Sequence, residues 1–427
     1  MPIEAEIAAA LELQQQGRTE DALSCCLPLL TLDLDDFRVH FLVGMLYRQL
    51  EKSAPAIFHF SKAVDLQPDL ASAHYNLGVL HYAEGRMTEA AASYQRAAQL
   101  LPDDPDIFFN LALTFKSLGR YCEAKSCYEQ VLAVNPDDID AHYNLGVLLR
   151  DMHEAEEAIS SFEKAAALSP AHLPSRKHLA SLFHLLGHRE KALAAYQAIL
   201  ALDPDNESAL HMVAALAGET PEAPPLSYVR ELFDRFSERY DETMAEKLEC
   251  SIEKQLRDML DSRCGDIRFA RGLDMGCGTG LSGLALKERV RHFTGIDLSA
   301  GMLRQAREKG AYDEVVQGDI ITFLKKTDKL YDFFLAADVF VYLGDLRQVF
   351  DLVRQKAHPG ACFVFSSETC DAGFRLQESG RYAHAENYVR ELAAQCGFHF
   401  DCCRPARLRK EKGEWIRGNL YLLTVAC

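Results

Sequence analysis

Five prolines stand 34 residues apart: Pro68, Pro102, Pro136, Pro170 and Pro204. A period of this size constrains the fold more than any other feature of the chain. A unit that short cannot bury its own apolar face and must stack on neighbours. Other positions keep the same step. Gly85, Gly119 and Gly187 share one phase, with Gly17 two periods before Gly85 and His153 interrupting the series. Ala22, Ala56, Ala90, Ala124, Ala158 and Ala192 share a second phase, and Phe60, Tyr94, Tyr128, Phe162 and Tyr196 a third. Small residues let two helices approach, the aromatic ring fills the space beside them, and the proline stops the second helix.

With proline as the thirty-second position, the units run 37–70, 71–104, 105–138, 139–172 and 173–206. A degenerate unit covers 3–36, with Leu34 in the proline position, and 207–217 reads as a capping helix. The pattern resembles the tetratricopeptide repeat. That resemblance implies paired antiparallel helices stacked into a right-handed superhelix whose concave groove takes a protein or peptide segment. Asn76, Asn110 and Asn144 recur in phase on the first helix of their units. They either pair with the backbone of an extended peptide or bond within the fold.

Residues 1–218 carry 16 Lys and Arg against 30 Asp and Glu, while the remainder carries 30 against 33. An acidic first half repels phosphates, so no nucleic-acid partner is expected. No stretch approaches the length of a membrane span, and the start of the chain lacks the basic and apolar regions of a signal peptide. The 13 cysteines include no C-x-x-C pair. They read as free thiols of a cytoplasmic protein, and no metal site is expected.

The expected domains are therefore 1–217 for the repeats, a proline-rich linker at 218–226, and a second domain at 227–427. The second domain opens on an amphipathic helix with Val229, Leu232, Phe233, Phe236, Tyr240 and Met244 at three- and four-residue steps. It continues with a strand, ARGLDM, that runs into the glycine loop GCGTGLSG. Further strands read at HFTGIDLS, VVQGDI, YDFFLAADVFVYL and ACFVFSSE, alternating with helices, and two closing strands follow without a helix between them. Alternation of this kind implies a doubly wound parallel sheet with its ligand at the carboxyl ends of the strands.

Two ligands suit the loop. Gly278, Gly280 and Gly283 fit a dinucleotide fingerprint, whereas Asp274, Gly276, Gly278 and Gly280 fit the first motif of enzymes that use S-adenosylmethionine. Asp274 at the end of the first strand would repel a diphosphate, yet it suits an ammonium and a sulfonium. Together with Asp297, Asp319 and the reversed terminal hairpin, it makes the second half resemble the class I S-adenosylmethionine-dependent methyltransferases. The two halves together resemble bacterial methyltransferases that carry tetratricopeptide repeats.

The resemblance implies an all-α repeat superhelix followed by a Rossmann-like α/β domain, with a seven-stranded sheet ending in a reversed hairpin. It implies that Asp274, Gly276 and Gly278 face the methionine portion of the cofactor, with Gly280 closing the loop. Asp297 would grip the ribose, with Leu298 beside the adenine. Asp319 and Ile320 would hold the adenine edge, and Ala337, Asp338 and Val339 would line the methyl side. Cys277 is a reactive thiol or a small buried filler. Phe236 and Tyr240 are lid residues or simply pack the first helix.

Methyl transfer needs alignment of the acceptor, and a base only where the acceptor must lose a proton. Candidates are Asp338 at the end of the fourth strand, Glu368 at the end of the fifth, and the segment SGRYAHAENYV, which offers Arg381, Tyr382, His384 and Tyr388. His384 is a general base or a helix-start residue bonded to backbone. Arg381 is a clamp for an acidic acceptor or a surface ion pair. The basic run Arg404, Arg407, Arg409, Lys410, Lys412 and Arg417 meets an anionic substrate or is solvated hairpin charge. The chain then reads as a methyltransferase whose repeats recruit a partner. The alternative is an interaction scaffold with a non-catalytic, cofactor-sensing domain.

Overall fold

The computed structural model describes residues 3–31, 36–242, 251–411 and 413–426. It divides into two compact units, Met1–His188 and Arg189–Cys427. The division falls ahead of the proline-rich segment expected as the linker. Helices Arg189–Leu202 and Glu207–Ala217, which the period assigns to the repeats, pack within the second unit.

The first unit is a series of helical hairpins, among them Phe37–Gln49 with Ser53–Leu66, Ala71–Ala83 with Met87–Leu100, and Pro105–Ser117 with Tyr121–Val134. Each hairpin packs on the next. The in-phase alanines and aromatic rings are its core: Ala56, Ala90, Ala124 and Ala158 are fully buried, as are Phe60, Tyr128 and Phe162. The rings lie under small residues of the preceding helix. A methyl group on Gly78 would meet the Tyr94 ring at 2.6 Å.

The turn inside each hairpin is left-handed. Gly17, Gly85, Gly119 and Gly187 have φ of 72–76°, and the two in-phase residues that are not glycine also have positive φ, 57° for Glu51 and 63° for His153. The backbone keeps the period where the side chain breaks it, because the tertiary stack dictates the turn. For a residue with a Cβ this region is costly.

The second unit is built on a nine-stranded sheet. β1 (Phe269–Met275), β2 (Val290–Asp297), β3 (Glu314–Gln317), β4 (Tyr331–Ala336) and β5 (Ala357–Glu368) are parallel, in the order β3-β2-β1-β4-β5. Two short strands, β6 (Phe374–Leu376) and β7 (Tyr382–His384), form a hairpin that meets β5 at Glu368. β8 (Phe398–Glu411) and β9 (Glu414–Val425) are the closing antiparallel pair, and β9 lies between β5 and β8. Seven strands thus make the expected sheet with its reversed hairpin, and β6–β7 is an addition to it. Phe333, Phe334, Phe363 and Phe365 are fully buried, as the apolar runs of central parallel strands require.

Candidate functional site

The glycine loop leaves β1 at Met275 and enters a short helix, Leu281–Leu286. Gly276, Gly278 and Gly280 all have positive φ. Gly276 has a second reason to lack a side chain: a methyl there would lie 2.5 Å from Val339 Cγ2, so the loop packs directly on the segment that follows β4. At Gly278 a methyl would meet no atom within 4 Å. This is the open face of the loop, where a ligand can come close to the backbone.

Asp274 is fully buried beneath the loop. Its Oδ2 accepts the Tyr312 hydroxyl at 2.6 Å, and its Oδ1 is buried without a partner. Burial lifts this carboxyl to about 7, against the opposing effect of the Tyr312 hydrogen bond. Asp297 ends β2, and its oxygens accept the Gly278 N–H at 3.0 Å and the Ser299 N–H at 2.9 Å. Burial raises its carboxyl too, while those amides pull it down. Cys277 is a buried filler whose thiol burial pushes well above its ordinary range. Its Sγ lies 2.9 Å from where a Gly295 methyl would stand.

Asp319 accepts the Thr322 N–H at 2.8 Å and caps helix Ile320–Lys326. Leu298 and Ile320 are half-buried, Ile320 against the main core and Leu298 against Val229, Val341 and Tyr342. Ala337 is half-buried after β4.

Helix Leu226–Phe236 and the turn after it hold on to this same region. Asp234 accepts the Ser299 hydroxyl at 2.5 Å. Asp241 accepts the Thr279 hydroxyl at 2.5 Å and pairs with Lys309 at 2.5 Å, and the Ser237 carbonyl accepts from Gln305. Phe233 lies 5.0 Å from Tyr342 and 6.2 Å from Tyr240. Tyr240 therefore stands in the covering segment. Phe236 ends the helix, but its side chain and Met244 lie outside the described residues.

Beyond β4 and β5 is a charged network. Asp338 has φ of 55°, donates its N–H to Ser366 Oγ at 2.8 Å, and accepts from Arg409 at 3.0 Å. Arg409 is 1% exposed and also pairs with Glu368 and, at 2.7 Å, Glu411. Glu411 in turn pairs with Arg381, whose Nε donates to Tyr342 Oη at 3.3 Å. Arg381 is thus neither a free clamp nor a loose surface pair. Glu253 stands in the first turn of helix Ile252–Cys264, and burial, then Asp338 and Asp241, hold its carboxyl above the usual range.

Two expectations are corrected. His384 is fully buried, its Nε2 donates to the Gly344 carbonyl at 2.8 Å, and burial lowers it to about 4. Its buried ring holds the hairpin to the loop and presents no surface to solvent. Tyr382 is fully buried among Ala214, Ala215 and Leu376. Both residues lie on β7, a strand too short for alternation to announce it. In the first unit, Asn76, Asn110 and Asn144 each donate to the carbonyl four residues back, at 2.7–2.8 Å. Each thus spends one amide N–H on its own helix, and Asn110 also donates to the Tyr75 hydroxyl at 3.2 Å.

Sequence reasoning missed Tyr312 and the burial of Arg409. Tyr312 follows a helix with no motif around it. Its ring fills the space left by Gly283 and Gly295, and those two glycines are the only sequence signal for it. Among the described residues no group of three or more His, Cys, Asp or Glu side chains is placed to hold a metal, and no helix is long and apolar enough to cross a membrane.

A loop of this geometry on a sheet of this order defines a methyltransferase-type α/β domain. Residues 273–365 match the family described as Methyltransferase domain. Residues 44–105, 81–147 and 149–217 match families described as Tetratricopeptide repeat. The chain thus carries a methyltransferase domain behind tetratricopeptide repeats. Similar curated proteins include the malonyl-[acyl-carrier protein] O-methyltransferases of Pseudescherichia vulneris, 28% identical over 32% of this chain and 51% of that one, and of Serratia marcescens, 32% identical over 38% and 60%. An 18S rRNA (guanine-N(7))-methyltransferase of Arabidopsis thaliana is 36% identical over 30% of this chain and 44% of its own. The chain spans about half the length of the curated relatives it matches. Among solved structures, YrrB, described as a TPR protein with an unusual peptide-binding site, is 21% identical over 44% of this chain and 96% of its own, with a TM-score of 0.40. The N-methyltransferase NodS of Bradyrhizobium japonicum WM9, in complex with S-adenosyl-L-homocysteine, is 22% identical over 40% and 85%, with a TM-score of 0.34.

Proposed function

We propose that the second unit transfers a methyl group from S-adenosylmethionine to an acceptor presented beside Asp338 and Arg381, and that the repeats hold a protein or peptide partner. The observation that carries this reading is the buried Oδ1 of Asp274. A carboxylate oxygen without a partner in a dry site is costly, and a cation at that point relieves the cost. The ammonium of the cofactor supplies such a cation, whereas a diphosphate would add a second negative charge. Gly278 leaves room for the ligand, and Asp297 stands at the end of the neighbouring strand to meet ribose hydroxyls.

The cofactor brings an already activated methyl group, so this chain's residues need only align the acceptor and exclude water. The segment from Asp234 to Asp241 covers the loop. On the acceptor side, Asp338, Glu368 and Glu411 outnumber Arg381 and Arg409 by one charge. Glu253, whose carboxyl is held above the usual range by burial and then by Asp338 and Asp241, is our candidate to take a proton from an acceptor that must lose one.

Calorimetric titration with S-adenosylmethionine and, separately, with NADH tests the reading. Micromolar binding of the first alone, followed by incorporation of labelled methyl into a cell-extract fraction, is the expected result. Binding of NADH alone, or of neither, overturns it.

A further inference from the structure

Helix Glu207–Ala217 closes the repeat period by sequence, yet it packs on the β6–β7 hairpin. Ala214 and Ala215 bury against Leu376 and Tyr382. His211, 2% exposed, donates from Nε2 to the Gly380 carbonyl at 2.9 Å. Its Nδ1 is buried without a partner, so the ring is the neutral Nε2–H tautomer. Its ring centroid lies 4.4 Å from that of Tyr228. Gly380 has φ of 79°, and a methyl on it would meet Tyr228 Oη at 2.7 Å and Met212 Sδ at 2.9 Å.

The proline-rich segment is tied down in the same place. Thr220 Oγ1 accepts the Leu376 N–H at 3.3 Å, and the Glu222 carbonyl accepts the Asp345 N–H at 2.8 Å. The residue after Gly380 is Arg381, whose guanidinium reaches Tyr342 and Glu411 at the edge of the charged network.

We infer that His211 is a positioning residue for the acceptor side. It fixes the turn at Gly380, and that turn sets where Arg381 stands. The inference rests on the methyltransferase reading above and deepens it. Helix Glu207–Ala217 acts as a wall behind the acceptor site, and a displacement of that helix alters acceptor recognition without touching the glycine loop.

The full chain is treated with phenylglyoxal, and Arg381 and Arg409 are followed by peptide mass spectrometry. His211→Ala is expected to raise the modification rate of Arg381 about tenfold, the equivalent of one lost hydrogen bond. Arg409 stays protected, and the affinity for S-adenosylhomocysteine stays within about twofold. His211→Gln, which keeps a donor at that distance, restores the slow rate. Thr220→Val is the milder variant and moves Arg381 in the same direction. With the acceptor fraction found by methyl labelling, His211→Ala raises the acceptor KM several-fold while the KM for S-adenosylmethionine is unchanged.

Equal Arg381 rates in the wild type and His211→Ala overturn the inference. So does a parallel rise at Arg409, which marks general loosening, or an unchanged acceptor KM. If His211→Ala does not fold, a selective effect of Thr220→Val on Arg381 is required, and its absence overturns the inference. Failure of the unaltered chain to bind S-adenosylhomocysteine instead defeats the methyltransferase reading, and the Arg381 rates still judge the positioning role.

Discussion

Tyr312 and Asp274 are 38 residues apart in the chain and 2.6 Å apart in space. The same phenolic oxygen accepts the Gly283 N–H at 3.1 Å, so one side chain joins the strand end, the loop and the helix behind it. Tyr312→Phe removes a hydrogen bond to a buried carboxyl. It should cost about 2 kcal/mol of stability. Urea unfolding followed by the fluorescence of Trp415, the single tryptophan, measures this in the second unit. Unchanged stability would mean that the hydrogen bond contributes nothing net.

Binding of S-adenosylmethionine should weaken as pH falls. Asp274 titrates near 7 because it is buried. Below that pH its proton must leave before a cation can bind, so Kd rises up to about tenfold per pH unit. Asp274→Asn should abolish this dependence and weaken binding roughly 30- to 150-fold, the equivalent of about 2–3 kcal/mol. A pH-independent Kd between 7 and 5 would place the ammonium elsewhere.

Acid should destabilise the second unit through His384. Its folded pKa, about 4, lies below the unfolded value, so the folded state resists protonation. Its neutral form is accommodated in full above the unfolded pKa. Stability then falls as pH drops from about 6.5 to 4, by up to about 3 kcal/mol. Urea midpoints across this range, compared with those of His384→Gln, isolate the contribution. An equal slope in both proteins would assign the loss to other groups.

Glu51 and His153 hold the left-handed turn at a cost that glycine avoids. Glu51→Gly and His153→Gly should each stabilise the first unit by about 1 kcal/mol. Helical circular dichroism during urea unfolding reads the change. A loss of stability would show that the freedom glycine adds to the unfolded chain dominates.

These two positions also mark what was legible in the sequence. The 34-residue period was legible because stacking repeats the same contacts in each unit. The left-handed turn persists at Glu51 and His153, which the glycine phase did not announce. The glycine loop, Asp274 and Asp297 were legible because a ligand loop and its strand-end acids are local in sequence. The β6–β7 hairpin was not, since three-residue strands are too short for alternation to show. Arg409 was hidden among five other basic residues. Only tertiary packing separates it from the exposed Arg407, through the β-bulge between residues 407 and 409. The docking of helix Glu207–Ala217 was hidden by its own period, which groups it with the repeats.

Arg409 has a consequence for the order in which the molecule is made. Asp338 and Glu368 sit at the ends of the fourth and fifth strands, and their shared counter-charge comes from β8. A growing chain presents the residues of β1–β5 and the glycine loop first, while those two carboxyls still need water or protons. Only when residue 409 has left the ribosome can those two carboxyls find their shared guanidinium. A ribosome paused short of that point would hold a nascent chain whose glycine loop is complete while its two strand-end carboxyls lack their counter-charge.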